Sequence, residues 1–197
     1  MRPRLMRAGV LLGIALAAAV VGCGGQKADN TPKDALVKAG DALLKGDKDA
    51  YLANVKLRQG DQAFTEAMLE TRRQTRALIE AMRKALGDKV AKEFEDQDQP
   101  VMAAMAKQAD TLKFIEEGNV AEGTTPDKKE IRFIMEGNHW RVDMSQLKPA
   151  SPEAMKEEKV TAQALRKVLP QIGKPGFENK ENIEKALMAE MRKALSP

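Results

Sequence analysis

Few side chains in this sequence have the chemistry to attack, titrate or hold a metal. Among 197 residues there is one cysteine, Cys23, and one histidine, His139. A metal site built on a single histidine would need several carboxylates beside it. No glycine-rich phosphate loop follows a strand-like run, and no nucleophile elbow occurs. Gly22-Cys23-Gly24-Gly25 has glycines enough for a phosphate loop, but it follows an apolar N-terminal run rather than a strand. The sequence therefore predicts no cofactor, no metal and no catalytic constellation.

Cys23 makes sense only with what precedes it. Arg2, Arg4 and Arg7 form a basic start, and Ala8 to Val21 carries no charge and no strongly polar group. The apolar stretch of about 14 residues falls short of the roughly 20 that span a bilayer, and it suits the h-region of an export signal. It ends on Val20-Val21-Gly22-Cys23. This tetrapeptide resembles the lipobox of bacterial lipoproteins: a branched aliphatic residue, a small or aliphatic one, Gly or Ala, then the modified Cys. The resemblance implies cleavage after Gly22, diacylglycerol on the Cys23 sulfur and acylation of the new amino group. Two or more acyl chains hold a protein stably where one does not, each buried methylene contributing about 0.8 kcal/mol. Read this way, Cys23 is an anchor, and the exported domain has no second cysteine for a disulfide. In enterobacterial lipoproteins Asp after the modified cysteine favours the inner membrane. Gly24 stands there, so the expected place is the outer membrane, facing the periplasm, if the source has two membranes.

Removing residues 1–22 takes away three arginines and no acid, which lowers the formal charge from +4 to +1. A near-neutral chain with interspersed charges has no electrostatic footprint for nucleic acid. The expected partners are the membrane, through the lipid, and a protein partner or a second copy.

The remaining chain must supply a scaffold. Residues 23–31 read as the modified cysteine and a short polar tether. Thr31 then caps a helix with Pro32 in its first turn and Asp34 closing a capping box; Gly46 ends it. Asp47 opens a second helix carrying Tyr51, Leu52, Val55 and Leu57. A longer helix follows Gly60-Asp61, with Phe64, Met68, Thr71, Thr75, Leu78, Met82 and Leu86 at steps of three and four, and stops at Gly87. Its Arg72, Arg73, Arg76, Arg83 and Lys84 lie largely off that stripe, as a solvated face or, alternatively, a basic binding face. Residues 88–110 predict more helix, interrupted near Pro100.

Two hairpins come next. Leu112 to Glu117 and Val120 to Gly123 flank Gly118-Asn119, with poorly segregated faces. Ile131 to Glu136 and His139 to Met144 flank Gly137-Asn138, a two-residue turn. Counting outward, Met135 faces Trp140, Phe133 faces Val142 and Arg132 faces Asp143. One face is then wholly apolar, and the other carries Arg132, Glu136, His139, Arg141 and Asp143. Ser151-Pro152-Glu153 starts a helix that runs to Pro170, and Asn179 or Asn182 starts a last one bearing Ile183, Leu187, Met188, Met191 and Leu195. Met68, Met82, Met102, Met105, Met188 and Met191 all fall on apolar helix faces. They either fill core gaps or form an adaptable binding surface.

The expected fold is α+β: N-terminal helices, a small antiparallel sheet of three or four strands around the hairpin 131–144, then two C-terminal helices. The expected organisation is a signal over 1–22, a tether over 23–31, an α+β domain over 32–147 and a helical extension over 148–197 packed on it. Gly46-Asp47 with Ala50-Tyr51-Leu52, and the later Gly137-Asn138-His139-Trp140-Arg141-Val142-Asp143 hairpin, resemble the nuclear-transport-factor-like or cystatin-like α+β superfamily over about residues 33–146. That resemblance implies helices packed across a curved sheet to form a cone, with a ligand pocket in some members. Trp140, Phe133 and Tyr51 would line the pocket or fill it as core. Enzymes of the superfamily use an acid or a histidine inside the cone, which nominates Tyr51, His139 and Asp143. The hairpin register, however, puts His139 and Asp143 on the face opposite Trp140. The leading expectation is a non-enzymatic, membrane-anchored accessory or partner-binding module. The alternative is a small-ligand carrier or an enzyme with a cone pocket.

Overall fold

The computed structural model describes residues 28–195. The expected signal, its cleavage site at Gly22 and the expected lipid attachment at Cys23 lie outside the described residues. Among the described residues no helix is long and apolar enough to cross a membrane.

Local signals place most element boundaries. Helix α1 (Pro32–Lys45) begins at Thr31, whose hydroxyl accepts from the Asp34 N–H while the Asp34 carboxylate accepts from the Thr31 N–H. Helix α2 (Lys48–Asn54) is capped by Asp47, which accepts from the Ala50 N–H at 3.0 Å. Strand β1 is Val55–Lys56. Helices α3 (Gln62–Leu86), α4 (Asp88–Gln97) and α5 (Val101–Lys107) follow, with Pro100 before α5. A 3-10 turn at Ala109–Thr111 leads into β2 (Lys113–Glu117), β3 (Val120–Thr124), β4 (Glu130–Glu136) and β5 (His139–Asp143). Helix α6 (Pro152–Val168) starts on the Ser151 cap and α7 (Lys180–Leu195) on Asn179.

The fold is α+β, but the sheet is larger than expected and mixed. Among the described residues it has five strands in the order β1-β5-β4-β3-β2, antiparallel except where β1 runs parallel to β5. The extra strand is β1. Val55 and Leu57 fit the helical spacing set by Tyr51 and Leu52, so the sequence extends α2 through them. The structure instead ends α2 at Asn54 and pairs β-branched Val55 with Val142, while the Met144 N–H donates to the Lys56 carbonyl at 2.9 Å. The 131–144 hairpin has the expected register, with Phe133 opposite Val142 and Met135 opposite Trp140. Arg132 and Asp143 form the expected ion pair, at 3.5 Å.

Two apolar cores hold the molecule. In the first, α1, α2 and α5 cover one face of the sheet and bury Leu36, Tyr51, Met105, Phe133, Trp140 and Val142. Helices α1 and α5 approach so closely that a Cβ on Gly40 would clash with the Ala106 Cβ. The second core is helical and lies away from the sheet: Leu78 and Met82 of α3, Ala91 of α4, Leu165 and Val168 of α6, and Ile183 of α7. Helix α3 serves both, since 25 residues span about 37 Å. Its Leu69 enters the first core and its Leu78 and Met82 the second. The C-terminal helices therefore rest on α3 and α4 rather than on the sheet.

Candidate binding groove and the fixed point of the N-terminal segment

The helical core is open along one side. Thr71, Arg72 and Thr75 of α3, Phe94 and Gln97 of α4, and Leu165 of α6 face Glu184, Leu187, Met188 and Met191 of α7 across a groove of about 530 Å³. Its α7 wall arises from the period of the helix: positions 184, 187, 188 and 191 recur at three and four and share one face. Ile183 is fully buried beside them, but Met188 is 51% exposed because none of the described residues covers that end of the stripe. The methionines thus divide. Met82, Met102 and Met105 are core, while Met188 and Met191 line the groove.

Several charges on the rim are paired. Arg72 meets Asp98 at 2.7 Å, and the Lys180 ammonium donates to the Gln97 amide oxygen at 3.0 Å, tying the start of α7 to the end of α4. Beneath the rim, burial works to raise the Glu70 pKa, but Arg166, Gln74 and Arg73 outweigh it and hold this carboxyl below its ordinary value. The expected solvated basic face of α3 is a set of ion pairs: Arg73 with Glu70, Arg76 with Glu80, and Arg83 with Asp88 and Glu95. The Thr71 hydroxyl lies 3.1 Å from the Ala67 carbonyl and 3.0 Å from that of Glu158, joining α3 to α6. The groove offers polarisable apolar walls with a partly neutralised rim, and its volume lies within the range of small-molecule and side-chain pockets. Among the described residues no group of three or more His, Cys, Asp or Glu is placed to hold a metal.

Of the residues nominated from the sequence, Phe133 (0% exposed) and Trp140 (3%) sit in the first core. Tyr51 is also buried there, at the wall of a smaller recess of about 180 Å³ with Phe64 and Met68. Asp143 is buried beneath the opposite face, where its carboxylate pairs with Arg132 and accepts from the Ser145 N–H and hydroxyl. His139 flanks the Gly137-Asn138 turn. The structure does not bring Tyr51, His139 and Asp143 together.

Burial pushes the Tyr51 phenol up from 10.0 to about 12. Because the folded value is the higher one, this contribution to stability is complete below pH 10 and is lost as pH rises toward 12. The loss reaches about 2–3 kcal/mol. Tyr51→Phe should flatten that part of the alkaline denaturation curve; equal alkaline loss in both proteins would contradict it.

One feature gave no signal in the sequence. Asp29 and Asn30, read as the end of the tether, are docked on the β4–β5 hairpin. The Asn30 side chain pairs with the Trp140 backbone as a strand would, accepting from its N–H at 2.7 Å and donating to its carbonyl at 3.0 Å. The Asp29 N–H donates to the Asn138 carbonyl, and the Asn138 amide returns a hydrogen bond to the Asp29 carboxylate. The described chain is thus fixed at the tip of this hairpin.

No protein-family profile, no curated protein and no solved structure matches this chain.

Proposed function

We propose that this chain is a lipid-anchored lipoprotein of the bacterial envelope, non-enzymatic, whose α+β domain serves as a partner-binding or accessory module at the membrane surface. The observation that carries the anchor is Val20-Val21-Gly22-Cys23 at the end of a short apolar run behind three arginines. The burial of Trp140 and Phe133 where a cone would open supports the binding-module reading over a cone-pocket carrier, although a cavity of about 460 Å³ lies between α5 and the edge of strands β3 to β5. The groove between α3, α4, α6 and α7 is the surface offered to the partner. Helices laid across one face of a mixed sheet support kinship with the nuclear-transport-factor-like superfamily.

Asp29 follows Cys23 by six residues. An extended chain of that length reaches about 20 Å at most. The lipid therefore holds the β4–β5 turn close to the bilayer, and Gly24 directs the protein to the periplasmic face of the outer membrane where there is one.

Cys23→Ser tests this reading. The variant should lose incorporation of labelled palmitate and move from the membrane to the soluble envelope fraction, or remain as uncut precursor. Labelling that persists at the native level would end the proposal.

A further inference from the structure

We propose that the free edge of β2 pairs with the same edge of a second copy, antiparallel and centred on Ile115, so that two sheets become one. Strand β2 ends the sheet order, and among the described residues only β3 pairs with it. Lys113, Ile115, Glu116 and Glu117 are exposed, Ile115 at 65%. A five-residue open edge is a template for another strand unless something blunts it.

The hydrogen-bond phase shows which groups are free. The Met135 N–H donates to the Asn119 carbonyl at 2.8 Å, and Val120 faces Ile134. Val120 is therefore at a non-hydrogen-bonded site toward β4, and its own N–H and C=O point to β2. Val120 faces Glu117 across that ladder. Counting back along β2, Glu117, Ile115 and Lys113 turn their main-chain groups to β3, and Phe114 and Glu116 turn theirs outward.

Self-pairing about Ile115 uses those outward groups. Phe114 exchanges two hydrogen bonds with Glu116 of the second copy, and the symmetric pair adds two more. Ile115 meets its own copy on the two-fold axis, as an isologous contact requires. Lys113 stands opposite Glu117 of the second copy on both sides of that axis. Positions 113, 115 and 117 share one face of the sheet, and non-hydrogen-bonded pairs bring side chains closest. An apolar centre is thus flanked by two opposite-charge pairs. Sliding by two residues sets Ile115 against Lys113 or Glu117 and loses both matches. The strand's charges are complementary to themselves in one register.

Cysteine scanning in the full-length chain reads that register directly. Opposed Cα atoms at such a site lie about 4.5 Å apart, within disulfide reach. With copper–phenanthroline as oxidant, Ile115→Cys should give a covalent dimer whose linked peptide maps to the 115–115 pair. Glu116→Cys, on the same strand but opposite Phe114, should not, and the native chain controls for Cys23. Lys113→Cys and Glu117→Cys should link when co-expressed and neither when alone. Lys113→Glu added to the Ile115→Cys chain should abolish the dimer, and further addition of Glu117→Lys should restore it, with unchanged circular dichroism throughout. Ile115→Cys linking no faster than Glu116→Cys, linking to a different protein, or ignoring the charge reversal would each overturn the proposal.

Discussion

Trp140→Ala is expected to lower the free energy of unfolding by about 3–5 kcal/mol, the range for truncating a large buried aromatic. Trp140 is 3% exposed and lies on the sheet face covered by α1, α2 and α5, cross-strand from Met135 and beside Phe133 and Val142. Its neighbours are held by the sheet on one side and by helices on the other, which limits their collapse into the vacated space. The backbone of Trp140 also carries the Asn30 clamp. A distorted β5 would loosen the attachment of the N-terminal segment as well. Urea denaturation followed by circular dichroism measures the loss, since the variant lacks the only tryptophan. An unchanged midpoint would mean that the apolar face of the hairpin does not bear on the core.

Gly46→Ala should be nearly as damaging, by about 2–5 kcal/mol, through two separate costs. Gly46 ends α1 at φ +65, where a side chain costs about 1–2 kcal/mol. A Cβ there would also stand 2.6 Å from the Leu69 carbonyl oxygen and 2.7 Å from the Arg73 nitrogen, both backbone atoms of α3. Helix α3 would have to withdraw from α1, and such overpacking costs about 1–3 kcal/mol more. Gly60→Ala separates the two: φ is +95 there, but the space around it is open. It should carry the conformational cost alone. Equal melting shifts for the two variants would show that the close approach of α1 and α3 is not tight.

The parts of the fold legible in the sequence are those written in short range. The 131–144 hairpin declares itself because period-two alternation and a glycine turn fix register together, and a slip of one residue would exchange core for solvent. Caps at Thr31, Asp47 and Ser151 mark helix starts by side chains that bond within three residues. Strand β1 was not legible, because two residues carry no period and Val55 also fits the stripe of α2. The first hairpin segregates poorly because apolar Ile115 points to solvent while Phe114 packs inward on Phe133, with ring centroids 5.7 Å apart.

The candidate site was legible only in pieces. The stripe of α7 gives Leu187, Met188 and Met191, but which methionines are core depends on where α7 lies against α3 and α4. That placement is tertiary. The division into two cores is likewise hidden, since α3 shows one continuous stripe whose two halves serve different partners. The docking of Asn30 on Trp140 spans 110 residues and leaves no local trace. Cys23 is the opposite case: its meaning lies entirely in the neighbouring sequence.

The most direct measurement of the central claim is the intact mass of the native chain extracted from membranes, with its N-terminal peptide sequenced by mass spectrometry. The prediction is a chain that begins at Cys23 and carries the mass of a diacylglyceryl group on sulfur, with or without a further acyl group on the amine. A chain that keeps residues 1–22, or one that begins elsewhere with an unmodified Cys23 thiol, would contradict it.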